Sequence, residues 1–335
     1  MTGNDDLVPH FVPTLAQMLA LGEKTKGKPL TEAEVIEIRD KAPCIMVPSS
    51  MFKELQEKLG YRDVNPENCW ADWHRLRVEF TGNGFLPKIV LCLTAKSESM
   101  QDLQKIVEEE GVDFEVKEYD AKMVVAFEKA SLGRSPSLTK QDLESIADHT
   151  SILFLLSDNF HERDATQFSY HYLRAGGRLL EAGASVMKCE SSGIAHSRER
   201  WMELAKEAER GAAGEWGLFW SALFDAYVQF PIVSDDDFYS CGMHLLGKPD
   251  VIVSGEVMRR VRKESESTTN DVVYLFETFC LYLIAECEDG AFASGNTFQP
   301  DMECPSFRVV WEECTGYEQD DLLFNPFGRW RFISI

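Results

Sequence analysis

Ile89-Val90-Leu91-Cys92-Leu93 and Ile152-Leu153-Phe154-Leu155-Leu156 are uninterrupted apolar runs, and the residues between them set the expected fold. Short apolar runs bounded by polar segments read as strands buried on both faces. After the first run, Ser99 and Asp102 have the spacing of a helix cap, and Met100, Leu103, Ile106 and Val107 supply one apolar face. Phe114 and Val116 alternate with charged residues, a turn follows around Tyr119–Ala121, and Met123, Val125 and Phe127 alternate again. Alternation with period two predicts two strands. Thr139 and Asp142 then cap a second helix bearing Leu143, Ile146 and Ala147. The predicted order is β-α-β-β-α-β, a ferredoxin-like unit over residues 85–160. Its last strand belongs at a sheet edge, where a run as apolar as 152–156 invites aggregation. The second half of the chain is therefore expected to continue the sheet beside it.

Working outward, residues 1–84 read as a helical N-terminal segment. Pro13–Leu21 and Ser50–Leu59 suit short helices, and Trp70, Trp73 and Leu76 share one helical face. Thr31 and Glu34 have capping-box spacing, in which two side chains satisfy otherwise unpaired amides at a helix start. Residues 161–335 read as a second α+β half. Phe168–Leu179, the stretch from Ser197, and Glu215–Val228 are amphipathic helices, and Thr268–Glu286 is a helix apolar nearly all round. Ala184–Cys189, Phe230–Val233, Val251–Val253, Phe292–Phe298, Phe307–Trp311 and Trp330–Ile335 read as strands. The expected fold class is α+β throughout.

Composition narrows the function classes. Acidic residues number 56 against 34 basic ones, a formal charge of −22 that repels phosphate backbones and anionic membrane surfaces. Residues 268–335 hold 12 acidic and three basic side chains, so the charge is uneven. The first eight residues lack the basic start and apolar core of a signal peptide. Val272–Ala285 is shorter than the ~20 residues a bilayer span needs and contains Glu277. Nine cysteines, with no CxxC pair, fit reduced thiols in a cytoplasmic protein.

One stretch concentrates chemistry-bearing groups: Cys189-Glu-Ser-Ser-Gly-Ile-Ala-His-Ser197, expected to join a strand to a helix. Glu190, Ser192 and His196 are the candidate catalytic residues, since a serine beside a histidine and a carboxylate is the apparatus of nucleophilic catalysis. A helix start there also suits an anion. The nucleophile elbow G-x-S-x-G is absent, and Ser and Gly are ordinary loop residues. His161-Glu162 opens like a zincin helix, but Ala165 stands where the second histidine belongs. Asp235-Asp236-Asp237 has oxygen ligands for a hard cation, though an acidic run after Pro231 is ordinarily a solvated turn. Ala175–Gly183 lies in a helix and is no dinucleotide fingerprint. Trp216, Trp220 and Tyr227 form an aromatic stripe that fits core packing better than a ligand groove. No cofactor and no metal are expected.

Glu190–Trp201 and Tyr239–Val253 together resemble a bacterial family catalogued as domain of unknown function 4261. The resemblance rests on Ser192, Gly193, Trp201, Gly242, Met243 and Gly247, and it spans about residues 85–335. It implies a bacterial, cytosolic protein and carries no activity with it. The expected function is therefore a non-enzymatic cytoplasmic binding protein, of immunity or defence type, whose acidic surface meets a basic protein partner. Two alternatives stand beside it. One is a structural subunit whose aromatic patches are buried between chains, and the other a hydrolase using the 189–197 loop.

Overall fold

Residues 7–132, 137–264, 270–287, 292–302 and 304–335 are described by a computed structural model. The chain divides into two units, Met1–Phe85 with Glu288–Asn296, and Leu86–Cys287 with Thr297–Ile335. The halves expected at 85–160 and 161–335 share the second unit, apart from Phe85 and 288–296.

In the first unit the described elements are β1 (Leu7–Phe11), α1 (Leu15–Lys26), α2 (Glu32–Lys41), β2 (Cys44–Pro48), α3 (Ser49–Leu59) and α4 (Cys69–Thr81). Beside the expected helices this segment also holds β1 and β2, which pair antiparallel as a two-stranded sheet. The Thr31–Glu34 capping box opens α2 with both reciprocal bonds made. Leu15, Leu19, Val35, Trp73 and Leu76 form the small apolar core. Asn68 ties the returning segment to this unit, donating to the carbonyl of Phe292 at 3.3 Å and accepting from the amide of Ser294 at 3.3 Å.

The second unit continues with β3 (Val90–Ala95), α5 (Met100–Glu110), β4 (Asp113–Glu118), α6 (Lys122–Ser131), α7 (Lys140–Ala147) and β5 (Ser151–Leu156). Met123, Val125 and Phe127 therefore lie on a helix, and the order is β-α-β-α-α-β in place of the expected ferredoxin-like β-α-β-β-α-β. Phe127, Ala130 and Ser131 are buried while Val125 is exposed, a helical spacing that the alternation at odd positions concealed. Thr139 and Asp142 form the second capping box.

The remaining elements are α8 (Ala165–Glu181), β6 (Met187–Cys189), β7 (Ile194–His196), α9 (Arg198–Ala212), α10 (Trp216–Tyr227), β8 (Gln229–Ser234), β9 (Asp237–Cys241), β10 (Asp250–Ser254), α11 (Gly255–Glu264), α12 (Asn270–Ala285), β11 (Thr297–Phe298), β12 (Phe307–Glu312) and β13 (Arg329–Ser334). The five-stranded sheet runs β4-β5-β3-β6-β7, with every neighbour antiparallel. The second half does extend this sheet, but beside β3. The run at 152–156 is not at an edge, because β4 covers its other side. The six-stranded sheet runs β11-β12-β13-β10-β9-β8, and its β10–β13 pair is parallel. Phe276 and Phe279 of α12 pack on Phe230, Phe298 and Phe332 of this sheet, with ring centroids 4.7–6.3 Å apart. Among the described residues no helix is long and apolar enough to cross a membrane.

Candidate functional site

The candidate loop sits in a β-hairpin, where the sequence suggested a strand running into a helix. The strand β7 intervenes before α9, so Glu190–Gly193 lies at the hairpin tip and the helix begins only after Ser197. Ser197 itself caps α9, its hydroxyl accepting from the amide of Arg200 at 3.2 Å. The expected anion site at 190–193 therefore has no helix start beneath it. The tip is fastened to the start of β3. Ser191 Oγ donates to the carbonyl of Lys88 at 2.8 Å and accepts from the amide of Val90 at 3.0 Å. The amide of Glu190 donates to the carbonyl of Val90 at 2.8 Å.

The three candidate side chains have separate surroundings. The carboxylate of Glu190 accepts from Lys188 Nζ at 2.6 Å. His196 is buried, with Nε2 3.2 Å from the carbonyl oxygen of Ala226 and its ring 5.8 Å from Trp201. Ser192 Oγ is buried and makes no hydrogen bond among the described residues. The Ser192–His196 contact that an activated nucleophile requires is thus not made.

A second segment closes over this hairpin. Gly242 has φ 118°, and a Cβ there would lie 2.1 Å from the carbonyl oxygen of Tyr227 and 2.9 Å from Ser192 Cβ. Only glycine permits that approach. It brings together the stretches 190–201 and 239–253. Behind Gly242, the buried Asp250 carboxylate accepts from Ser240 Oγ at 3.0 Å, the Met243 amide at 3.2 Å and Asn325 Nδ2 at 2.7 Å. His244 is 1% exposed, and neither ring nitrogen makes a hydrogen bond among the described residues. The backbone of Leu322 and Ser191 lies near the ring without hydrogen-bonding geometry.

Burial governs the electrostatics here. It pushes the Cys189 thiol up to about 11, moderated by the nearby Ser192 and Ser191 groups. It drives His244 down to about 4 and raises Asp250 to about 6, the latter against three hydrogen bonds that favour the carboxylate. Cys241 and Tyr227 are likewise pushed upward. At neutral pH the imidazole and the thiols are uncharged, which opposes thiolate or imidazolium chemistry. The arrangement is suited to holding the two segments together. Sequence reasoning passed over His244 and Asp250, whose only signal was a polar residue within each of two apolar stretches, Met243–Leu246 and Asp250–Val253.

The other candidates have plain structural roles. Asp235 and Asp236 form the two-residue turn between β8 and β9, with Asp235 at φ 52°. Asp236 pairs with Arg259 at 3.3 Å and Asp237 with Arg331 at 2.9 Å, so arginines occupy these carboxylates. No group of three or more potential metal ligands occurs among the described residues. None of the nine cysteines is in a disulfide. In the aromatic stripe Tyr227 is buried and Trp216 is 58% exposed. A cleft of about 850 Å³ in the first unit is lined by Glu23, Lys24, Lys28, Arg77 and Phe80 among others. Its buried carboxylate is already engaged, since Glu23 accepts from Arg77 Nε at 2.9 Å, Leu30 N at 3.2 Å and Trp73 Nε1 at 3.3 Å. No family model, no curated protein and no solved structure matches the chain.

Proposed function

We propose that this chain is a non-enzymatic binding protein whose acidic second unit engages a basic protein partner, in the manner of an immunity protein acting in a reducing cytoplasm. The distribution of charge carries the proposal. Residues 86–335 hold 43 acidic and 24 basic side chains, whereas residues 1–85 hold 13 and 10. A potential of one sign over a large surface raises the rate of encounter with an oppositely charged partner and discriminates against others. The separate surroundings of Glu190, Ser192 and His196 support the same reading by leaving the loop without an activated nucleophile.

The test is retention of proteins from a cell lysate on the immobilised chain, released by a salt gradient. Proteins of high isoelectric point should be held at low ionic strength and released as screening shortens the reach of the charges. No basic protein retained at low salt, or retention indifferent to salt, sinks the proposal. So does turnover of an ester or amide substrate that is lost in Ser192→Ala.

A second reading, a subunit of a larger assembly, is favoured by Ile45, Met46 and Met51 of β2 and α3, which are 56%, 56% and 48% exposed. Mass measurement across a dilution series decides it. A monomer at all concentrations removes self-assembly.

A further inference from the structure

We infer that β4 is a docking strand, an open sheet edge that accepts an extended cationic segment of the partner as an additional antiparallel or parallel strand. This rests on the basic-partner reading above and gives it a location. The edges of the described sheets are not equivalent. β11 is two residues long and β7 three, with all three buried. β8 carries Pro231 and a register irregularity between Gln229 and Ile232, two devices that spoil an edge for pairing. In the small sheet of the first unit, β1 contains Pro9 and β2 ends at Pro48. β4 has six residues, no proline and no register irregularity against β5.

One side of β4 is used by β5, from Asp113 opposite Leu156 to Glu118 opposite Ser151. In an antiparallel pair, alternate residues direct their amide and carbonyl toward the partner, so half of the β4 backbone groups point outward. No backbone hydrogen bond from another element meets them among the described residues. Five of the six side chains are exposed and Phe114 is half-buried. The strand is thus accessible along its full length.

Its charges say what can pair with it. Asp113, Glu115 and Glu118 are exposed, and Glu108 sits on the adjoining helix α5. The one cation of β4, Lys117, lies 3.9 Å from Glu115 and 4.7 Å over the ring of Phe154, so the strand carries three carboxylates against one ammonium. Asp113 and Glu118 have no ion-pair partner among the described residues. In the antiparallel register that sets Asp113 opposite Glu118, a second copy of β4 faces carboxylate with carboxylate, which is unfavourable between facing strands. A lysine- or arginine-bearing strand would meet the opposite sign at the same positions while its backbone satisfies the outward amides and carbonyls. Val116, 42% exposed, and Tyr119, 55% exposed, offer apolar contact alongside.

The probe is a short fluorescein-labelled peptide alternating Lys with Val or Thr, followed by fluorescence anisotropy and by amide hydrogen exchange of the full chain. Binding should slow exchange at amides within 113–118. Glu115→Lys with Glu118→Lys should weaken binding at least about tenfold, the scale of opposed charges at paired strand positions. The same peptide methylated at alternate backbone nitrogens keeps its charge but cannot complete the ladder, and it should lose binding without any change to the protein. Equal binding of the methylated peptide, or protection confined to other segments, overturns the docking strand while leaving a basic partner in place. Failure of every cationic probe at low salt overturns both. Self-association that depends on β4 also overturns it.

Discussion

Buried polar groups are organised differently in the two units. In the first, carboxylates act as cross-ties between short elements. Asp63 accepts from the amides of Leu15 and Ala16 at 3.0 and 2.8 Å, capping α1 from 47 or more positions away. Asp72, fully buried, takes both guanidinium nitrogens of Arg62 at 2.6 and 2.8 Å and the amide of Asn65 at 2.7 Å. Glu23 gathers Arg77, Trp73 and the Leu30 amide in the same way. In the second unit the corresponding groups are immersed in a large apolar core, and burial moves His244 and Asp250 toward their uncharged forms, as it also raises Asp63 in the first. A small unit has little apolar area to bury, so directional charged bonds define how its helices meet. A large unit is held by area, and its polar groups bear a desolvation cost.

That contrast can be broken or sharpened experimentally. Asp72→Ala removes the buried carboxylate that binds Arg62 and the Asn65 amide, and should destabilise the first unit by about 3–5 kcal/mol in urea denaturation. A loss below about 1 kcal/mol would mean the apolar core alone holds this unit.

In the second unit the effect should appear as pH dependence. The His244 pKa, about 4 when folded, is below its ordinary 6.5, so protonation favours the unfolded chain. Its contribution is unchanged above pH 6.5 and declines as pH falls from there toward 4, by about 3 kcal/mol in total at ~1.36 kcal/mol per pH unit. Asp250, raised from 3.8 to about 6, has the opposite sign: its contribution is complete below pH 3.8 and is lost as pH rises to 6. The two slopes oppose each other between pH 4 and 6. His244→Leu removes one of them, so the variant should gain stability over the parent as pH falls from 6.5 to 4. It should also be no less stable at pH 7, because an unpaired buried imidazole is replaced by an apolar group. A parallel pair of stability–pH curves sinks this account of His244.

The smallest effect concerns Asp63. Asp63→Ala should cost about 1–2 kcal/mol, the scale of a lost helix cap with buried amides left unpaired. The midpoint of thermal unfolding monitored by the tryptophans of α4 reads it. An unchanged midpoint would remove Asp63 from the cross-ties.

Much of the local structure was legible because its causes are local. The capping boxes at Thr31–Glu34 and Thr139–Asp142 span three positions, and both helices begin where those residues place them. The failure at 123–127 has a physical origin too. Met123, Val125 and Phe127 fit period two, yet Val124 and Phe127 also lie on one helical face, and a short apolar run satisfies both periods. The helical burial pattern of Phe127, Ala130 and Ser131 resolves the ambiguity only once the core exists. At the candidate site the residue types were visible, but their partners were not. Glu190, Ser192 and His196 are neighbours in sequence that face three different environments.

The amino-acid order by itself determined the α+β class, the amphipathic helices, the two buried runs at 89–93 and 152–156, and the anionic balance of the second unit. Tertiary structure alone decided which strands became neighbours, which edge stayed open, and which buried polar groups found partners. Caps and periodicity act over one or two turns of chain. Strand pairing and desolvation depend on groups as far apart as Val90 and Ser191, 101 positions from each other, whose meeting no local rule specifies.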